Sequence, residues 1–234
     1  TEYVLEPHID IPLTIAAGAV ALFGSYRVDE MDPHPNEFNK SDLMIWDRPF
    51  AGLWNPAAAS WSNGLTFLGL TPMAIGAVSY FKKDIKGSEL AALSLMFVQS
   101  MAIQSGINLM VRSSQLWPRP FILGEKGGEE RLKGEAYGSF YSGHASAAFS
   151  VAVFTSVWFQ KTYSSSKYIP YIWGTSSSLA ATVSILRVVA GKHYPTDVLV
   201  GALMGTLVSI SVLKIHEHQS PSLSIQVGPN YVGV

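Results

Sequence analysis

The chain has 234 residues, a length that suits one domain or one large helical bundle and leaves no room for a second sizeable core. Its 16 basic and 17 acidic residues give a net charge of −1, so the basic excess typical of nucleic-acid-binding proteins is missing. Charged residues make up only 14% of the chain, against about 25% in ordinary soluble domains, and apolar residues reach 48%. The composition therefore favours a membrane protein, and the lack of cysteine excludes disulfides and thiolate metal sites.

The first part of the chain contains one helix candidate followed by polar and aromatic stretches. Residues 11–23 are apolar and predict a short helix, which is marginal as a membrane span because a span needs roughly twenty residues. Residues 27–42 are acidic and contain prolines, as in an exposed loop. Residues 43–61 hold three tryptophans among charges and prolines, which fits a broken helix at a membrane–water boundary. Aromatic core residues of a soluble bundle are the alternative interpretation of that stretch.

Two longer apolar runs follow, at residues 65–81 and 90–111. The second run contains three amide side chains, Gln99, Gln104 and Asn108, on roughly one face of the predicted helix. Amides inside a membrane span have to face the interior of the bundle, where they find polar partners. We therefore expect these three side chains to be buried.

A long polar segment, residues 112–142, separates the two halves of the chain, and its composition predicts a loop. Loops of this length in compact proteins are usually functional. Three further helices are predicted after it, at residues 143–160, 168–190 and 195–215. The tail from residue 220 to 234 has the pattern of a short strand and turn, and the pair His216 and His218 is expected to be a solvated helix end.

These segments predict an all-α fold with a single domain over residues 1–234: a transmembrane bundle of about six apolar helices with a long loop and a strand-like C-terminal tail. Lysines collect in the connections at residues 82–88 and 161–167 and near Lys214. By the positive-inside rule that side of the bundle is cytoplasmic. The long loop at residues 112–142 then faces the opposite side of the membrane.

One segment near the carboxyl end gathers groups that can handle a phosphate. Pro195 is favoured at the first position of a helix, which puts Asp197 in the first turn and His193 at the mouth of that helix. Asp197 can accept a hydrogen bond from one imidazole nitrogen and leave the other free as a nucleophile. Arg187 ends the preceding apolar run and would point its guanidinium into the same space. The alternative is an interfacial arginine, a surface histidine and an aspartate at a helix start.

Two other segments also contain groups that can bind a phosphate. Ser142 and Gly143 offer a hydroxyl and an unhindered backbone N–H at a predicted helix N-terminus, where anions are held well. His144, in the first turn, could donate a proton to a leaving alkoxide. Arg112 and Arg119 bracket a short stretch just beyond an apolar helix. Taken singly, these residues also fit a serine cap with a nearby histidine and two arginines at the end of a membrane span.

Together the three segments resemble the type 2 phosphatidic acid phosphatases, the PAP2 family, which share a site with bacterial class A acid phosphatases and vanadium haloperoxidases. The family's motifs are Lys-x6-Arg-Pro, Pro-Ser-Gly-His and Ser-Arg-x5-His-x3-Asp. Here they read, in the same order and spacing, Arg112-x6-Arg119-Pro120, Tyr141-Ser142-Gly143-His144 and Leu186-Arg187-x5-His193-x3-Asp197. The departures are Arg112 for lysine, Tyr141 for proline and Leu186 for serine; the first keeps the charge but changes its shape.

The resemblance implies a phosphatase that works through a phosphohistidine without a metal or another cofactor. His193 would attack phosphorus, Asp197 would orient its ring, and His144 would protonate the leaving oxygen. The phosphate would be bound by Arg112, Arg119, Ser142, Gly143 and Arg187. Three arginines can supply the fixed positive charge that phosphoryl transfer requires.

The expected partners are a membrane and a phosphorylated lipid of the phosphatidic acid, phosphatidylglycerophosphate, isoprenyl diphosphate or lipid A class. The expected location is a bacterial-type inner membrane, with several spans and a site that faces the periplasm or the outside. Three alternatives remain. One is a soluble or peripheral periplasmic acid phosphatase with the same site, favoured by the short first helix and the strand-like tail. The others are a vanadate-dependent haloperoxidase and a catalytically impaired membrane protein that binds phospholipid.

Overall fold

The structure is a computed structural model that describes residues 3–33 and 38–217. These residues form an all-α bundle, which confirms the predicted fold class. In chain order the α-helices are α1 (Pro7–Asp29), α2 (Pro56–Gly64), α3 (Thr71–Phe81), α4 (Gly87–Arg112), α5 (Gly143–Thr162), α6 (Ile169–Val189) and α7 (Pro195–His216). A 3-10 turn, Leu65–Leu70, joins α2 directly to α3, so the bundle has six helical segments. The predicted strand at residues 220–234 and His218 lie outside the described residues.

Five of these segments are long and apolar enough to cross a membrane: α1, the joined α2–α3 segment, α4, α6 and α7. The remaining helix, α5, is rich in alanine and serine and packs chiefly against α7 and α6, while α1 packs along α4. Many side chains on the outside of the bundle are large and apolar, including Leu22, Phe81 and Leu199. An apolar outer surface of this kind is typical of a multi-pass membrane protein.

Helix α1 corrects two predictions. It covers Pro7–Asp29 rather than residues 11–23, because Pro7 occupies the first helical position and Asp10 in the first turn is buried rather than solvated. Asp10 accepts hydrogen bonds at 2.6 Å from Nε2 of His216 and at 2.9 Å from Nε2 of Gln99. His216 is only 4% exposed, so the prediction of a solvated helix end is wrong for it. A polar residue at the edge of an apolar run can be an interior partner of another helix.

The three amide side chains of α4 are buried, as predicted. Gln99 bonds to Asp10, and Gln104 donates to Oγ of Ser105 at 2.8 Å. Asn108 donates from Nδ2 to the backbone carbonyl of Tyr141 at 2.7 Å. The polar face of α4 therefore holds α1 through Gln99 and the chain before α5 through Asn108.

The tryptophan-rich stretch forms a 3-10 turn, Arg48–Phe50, followed by α2. Trp46 and Trp61 are 60% and 71% exposed, which agrees with a place at a membrane boundary and not with core residues. The indole Nε1 of Trp46 donates to Oγ1 of Thr196 at 2.8 Å. This stretch thus lies beside the first turn of α7.

Close packing of α5 against α7 depends on glycine. A Cβ added at Gly205 would overlap the backbone carbonyl of Ser146, and one at Gly201 would lie 2.5 Å from the carbonyl of Ser142. Further toward the C-terminal ends of both helices, the hydroxyls of Ser150 and Ser209 are 2.7 Å apart. Small residues let the two backbones touch, a common way of joining helices in membranes.

Replacement of Gly205 by alanine is therefore expected to destabilise the bundle by about 1–3 kcal/mol, since the added methyl group forces α5 and α7 apart. The measurement is the thermal midpoint of the purified protein in detergent. Gly174→Ala in α6 is the matched control, because nothing lies within 4 Å of a Cβ there. An equal midpoint for the two variants would contradict the packing argument.

Candidate active site

The fold brings the three sequence segments to one end of the bundle. Arg112 ends α4, Arg187 lies in the last turn of α6, and Ser142 caps α5. The backbone N–H of Ser142 donates to the carbonyl of Asp197 in α7 at 3.0 Å. The loop between α4 and α5 adds Arg119 to this group. Residues that are far apart in sequence therefore share one small volume.

The turn between α6 and α7 is held rigidly. Gly191 has φ +70°, a conformation that L side chains rarely adopt, and a Cβ there would overlap the carbonyl of Leu53. The backbone N–H of Asn55 donates to the carbonyl of Ala190 at 3.2 Å. Pro195 then starts α7 with Tyr194 as its cap, as the sequence predicts. The turn fixes the backbone on which His193 is carried.

His193 is only 2% exposed, and its orientation is set by a backbone carbonyl. Its Nδ1 lies 2.9 Å from the carbonyl oxygen of Ser139. A carbonyl only accepts, so Nδ1 carries the hydrogen and Nε2 keeps a free electron pair. The predicted bond to Asp197 is replaced by a longer approach of 3.5 Å between Nδ1 and Oδ2. Sequence spacing placed Asp197 correctly but could not reveal the competing carbonyl.

Asp197 is fully buried and connects the loop to α7. Its Oδ2 accepts hydrogen bonds from Oγ of Ser139 at 2.5 Å and from the backbone N–H of Tyr194 at 2.9 Å. Its Oδ1 accepts from Nε1 of Trp117 at 3.2 Å. Asp197 therefore holds Ser139, whose carbonyl in turn orients His193. Sequence reasoning missed Ser139 and Trp117, because neither residue belongs to a motif. The only signal for them in the sequence is that they stand close to the motif residues.

The three arginines form a concentrated positive field. The side chain of Arg119 is only 12% exposed, and its burial together with the charges of Arg112 and Arg187 lowers its pKa to about 9. Arg187 donates from Nη1 to Oγ of Ser62 and to Oδ1 of Asn63, both at 3.2 Å, which ties it to α2. The Nε atoms of all three arginines are buried without a hydrogen-bond partner among the described residues. Buried, unpaired donors of this kind indicate a binding site for an anion.

The same field acts on His193. Burial and the positive charges of Arg187, Arg119 and Arg112 lower the pKa of His193 well below its ordinary value, and they outweigh the opposing effect of the bond to the Ser139 carbonyl. A histidine with a depressed pKa is neutral at physiological pH. The ring is thus available as a nucleophile under the conditions in which the arginines are charged.

Ser142, Gly143 and His144 lie at the N-terminus of α5. Oγ of Ser142 accepts from the backbone N–H of Ala145 at 3.3 Å and so caps the helix. A Cβ at Gly143 would lie 2.6 Å from Oδ1 of Asn108, which explains why glycine occupies this position. The positive charges of the three arginines disfavour protonation of His144 as they do that of His193. The arrangement can bind an anion beside two histidine rings, and a bound anion would offset the charge of the arginines.

A sequence profile of the PAP2 superfamily matches residues 90–221, which is more than half of the chain and includes all three motifs. The chain belongs to the PAP2 superfamily. Membership supports phosphatase activity, a phosphorylated substrate and association with a membrane. No curated protein and no solved structure matches the chain.

Two carboxylates that the motifs do not include also reach this PAP2 site. Oε2 of Glu135 lies 3.1 Å from Nη2 of Arg112 and 3.9 Å from Nη2 of Arg119. Burial acts to raise the pKa of Glu135, but the two guanidinium groups outweigh it and hold the pKa below its usual value. Glu130 forms an ion pair with Lys192, next to His193. The long loop therefore brings negative charge to the cations of the site.

An apolar cavity of about 220 Å³ lies next to His144 in this PAP2 protein. It extends into the bundle between the joined α2–α3 segment, α4, α5 and α6. The lining side chains are small or apolar, among them Ile75, Met101, Ala148 and Leu179. Among the described residues, His144 is the one ionisable residue that lines the cavity.

Proposed function

We propose that this PAP2 protein is a membrane phosphatase that hydrolyses a lipid phosphate or diphosphate monoester through a phosphohistidine, without a metal. The apolar cavity beside His144 is the observation that supports a lipid over a soluble phosphate ester. A soluble ester has no need of an apolar chamber at its leaving group. An acyl or prenyl chain gains free energy from burial there, at about 25 cal/mol per Å² of apolar surface.

The first chemical step is transfer of the phosphoryl group to His193. The free electron pair on Nε2 attacks phosphorus in line with the ester oxygen, and the bond between phosphorus and that oxygen breaks. His144, which takes up a proton once the bound phosphate offsets the charge of the arginines, gives that proton to the oxygen. Arg112, Arg119 and Arg187 bind the three equatorial oxygens together with the hydroxyl of Ser142 and the N–H of Gly143. Their positive charge stabilises the loose transition state.

The second step releases phosphate. His144, now neutral, accepts a proton from a water molecule as that water attacks phosphorus, and the bond from phosphorus to Nε2 breaks. The enzyme returns to its starting state, and the net reaction consumes one water and yields inorganic phosphate. The other product is a lipid alcohol from a monophosphate, or a lipid monophosphate from a diphosphate, and it stays in the membrane.

The position of the cavity fits this order of events. The leaving oxygen must lie within hydrogen-bonding distance of His144, on the side of phosphorus away from His193. The carbon chain attached to that oxygen then continues away from the arginines and into the space lined by Ala148 and Leu179.

The orientation in the membrane is part of the proposal. Lysines mark the ends of the helices opposite the site, at residues 82–86, at Lys161 and at Lys214. Counted on lysines alone, the positive-inside rule puts the site on the outer side, which in a bacterial inner membrane is the periplasm; the arginines lie on the side of the site. The substrate would be a lipid of the outer leaflet.

A bulky residue in the cavity should separate lipid from soluble substrates. Ala148→Phe is expected to lower kcat/KM for a long-chain lipid phosphate by about tenfold or more, since loss of a few buried methylene contacts has effects of this size. Hydrolysis of p-nitrophenyl phosphate should change little, because that ester does not need the cavity. The measurement is phosphate release in detergent micelles with EDTA present.

Leu199→Phe is the matched control, since Leu199 is exposed on α7 and does not line the cavity. It should leave both rates unchanged. Equal loss on both substrates in Ala148→Phe would indicate a damaged site rather than a blocked chain. Activity that disappears with EDTA would contradict the metal-free mechanism, and a wild-type preference for p-nitrophenyl phosphate would favour the soluble acid phosphatase alternative.

A further inference from the structure

Glu135 occupies a position that the proposed mechanism reserves for a phosphate oxygen. One of its carboxylate oxygens, Oε2, approaches both Arg112 and Arg119, at 3.1 and 3.9 Å. Carboxylate and phosphate oxygens bind to guanidinium groups with the same geometry and through the same N–H donors. A phosphate bound to these two arginines and the carboxylate of Glu135 cannot use the same donors at the same time.

The backbone on which Glu135 is carried is fixed. Its neighbour Ala136 is buried and accepts a hydrogen bond from the backbone N–H of Arg119 at 2.8 Å. On the other side, a Cβ at Gly134 would overlap the carbonyl of Met31, so the chain is packed closely there as well. Movement of the carboxylate away from the arginines therefore has to come from rotation of the side chain.

The side chain of Glu135 has room for that rotation, because 53% of it is exposed while the side chains of Arg112 and Arg119 are only 13% and 12% exposed. The two cations cannot leave the site, whereas the anion can turn into water. In this ion pair the two arginines are fixed, and the carboxylate of Glu135 is the group that can move.

We propose that Glu135 is a built-in competitor for the phosphate group, which pairs with Arg112 and Arg119 in the free enzyme and turns out to solvent when the substrate binds. The inference rests on the proposed function, since it takes these arginines as phosphate ligands. In the free enzyme, the carboxylate of Glu135 also offsets the repulsion among the three clustered guanidinium groups.

Competition of this kind has a definite signature. When only a fraction of the enzyme is free to bind, the apparent affinity for every anion is reduced by that same fraction. Removal of the competitor should therefore tighten binding of different anions by one common factor. A residue that merely positions the arginines would have the opposite effect, because its loss would weaken binding.

The test is the affinity of wild type and Glu135→Gln for inorganic phosphate and for orthovanadate, measured by calorimetry in detergent without any turnover. Glu135→Gln removes the charge and keeps the size of the side chain. We expect binding of both anions to tighten by about fivefold, the effect of losing a partly exposed ion pair. The KM for a lipid phosphate should fall by a similar factor with kcat unchanged.

Glu129→Gln is the control, because Glu129 is an exposed carboxylate of the same loop with no ion pair among the described residues. It should bind both anions as the wild type does. Glu135→Ala serves as a second variant, should the glutamine form a new hydrogen bond to an arginine. Unchanged or weaker binding of phosphate in both Glu135 variants would overturn the proposal.

Failure of this inference is distinguishable from failure of the proposed function. Wild-type protein that binds phosphate and hydrolyses a lipid phosphate, but whose affinity is not improved by either Glu135 variant, overturns only the role of Glu135. Wild-type protein and variants that bind neither anion overturn both, since the arginines would then not be a phosphate site.

Discussion

His193→Ala is expected to lower kcat by at least about 10³-fold on every phosphate ester, because no other group could take the place of its Nε2 as nucleophile. The ring is buried, is held through Nδ1 by the carbonyl of Ser139, and lies in the field of three arginines. Phosphate release and trapping of a labelled phosphoenzyme by alkaline quenching are the two measurements, since the bond between phosphorus and nitrogen in phosphohistidine survives base and not acid. Both the release and the label should disappear.

His144→Ala is the informative companion to this variant. Its loss should slow hydrolysis of a lipid phosphate, whose alkoxide needs a proton, far more than that of p-nitrophenyl phosphate, whose leaving group departs without one. The labelled phosphoenzyme should still form from p-nitrophenyl phosphate. His8→Ala, with a side chain that is 76% exposed, is the neutral control. Label retained in His193→Ala would assign the nucleophile to another residue.

Asp197→Asn is expected to reduce both activity and stability. The amide would turn its N–H group either toward both Ser139 and the backbone N–H of Tyr194 or toward Nε1 of Trp117, leaving buried donors without acceptors, at a cost of about 2–4 kcal/mol in the free energy of unfolding. Because Asp197 acts on His193 through Ser139, we expect kcat to fall by about 10²-fold with little change in KM. Thermal midpoint and steady-state kinetics in detergent are the measurements.

Ser139→Ala separates the two functions of this network. It removes the hydroxyl that donates to Asp197 and keeps the backbone carbonyl that accepts from Nδ1 of His193. It should therefore affect kcat much less than Asp197→Asn. A loss as large as that of Asp197→Asn would show that the hydroxyl itself, rather than the carbonyl, decides the orientation of the ring.

The sequence was sufficient to predict the bundle and the grouping of the site residues. Apolar runs bounded by proline and lysine predicted most helices to within a few residues, since helix formation there depends on neighbours in the chain. The spacing of Arg112, Arg119, His144, Arg187 and His193 predicted their convergence, because each lies at or just beyond a helix end. The roles assigned to these residues remain predictions.

What sequence could not supply depends on contacts between distant segments. Asp10 looked like a polar boundary because its partner His216 stands near the other end of the chain. The carbonyl of Ser139 is a backbone group, so no residue type could signal its bond to His193. Glu135 was one acidic residue among several in a polar loop, and only the fold singled it out as the partner of Arg112.

The buried pair of Asp10 and His216 bears on the order in which the protein is made. Asp10 is in the first helix and His216 is the final residue of α7, so the first helix emerges from the ribosome long before its polar partner exists. A carboxylate is disfavoured in the hydrocarbon region of a bilayer until it is paired. Helix α1 can pair with α4 first, through Gln99, but Asp10 gains its bond to His216 only once α7 has been synthesised, so this buried polar cluster is completed by α7.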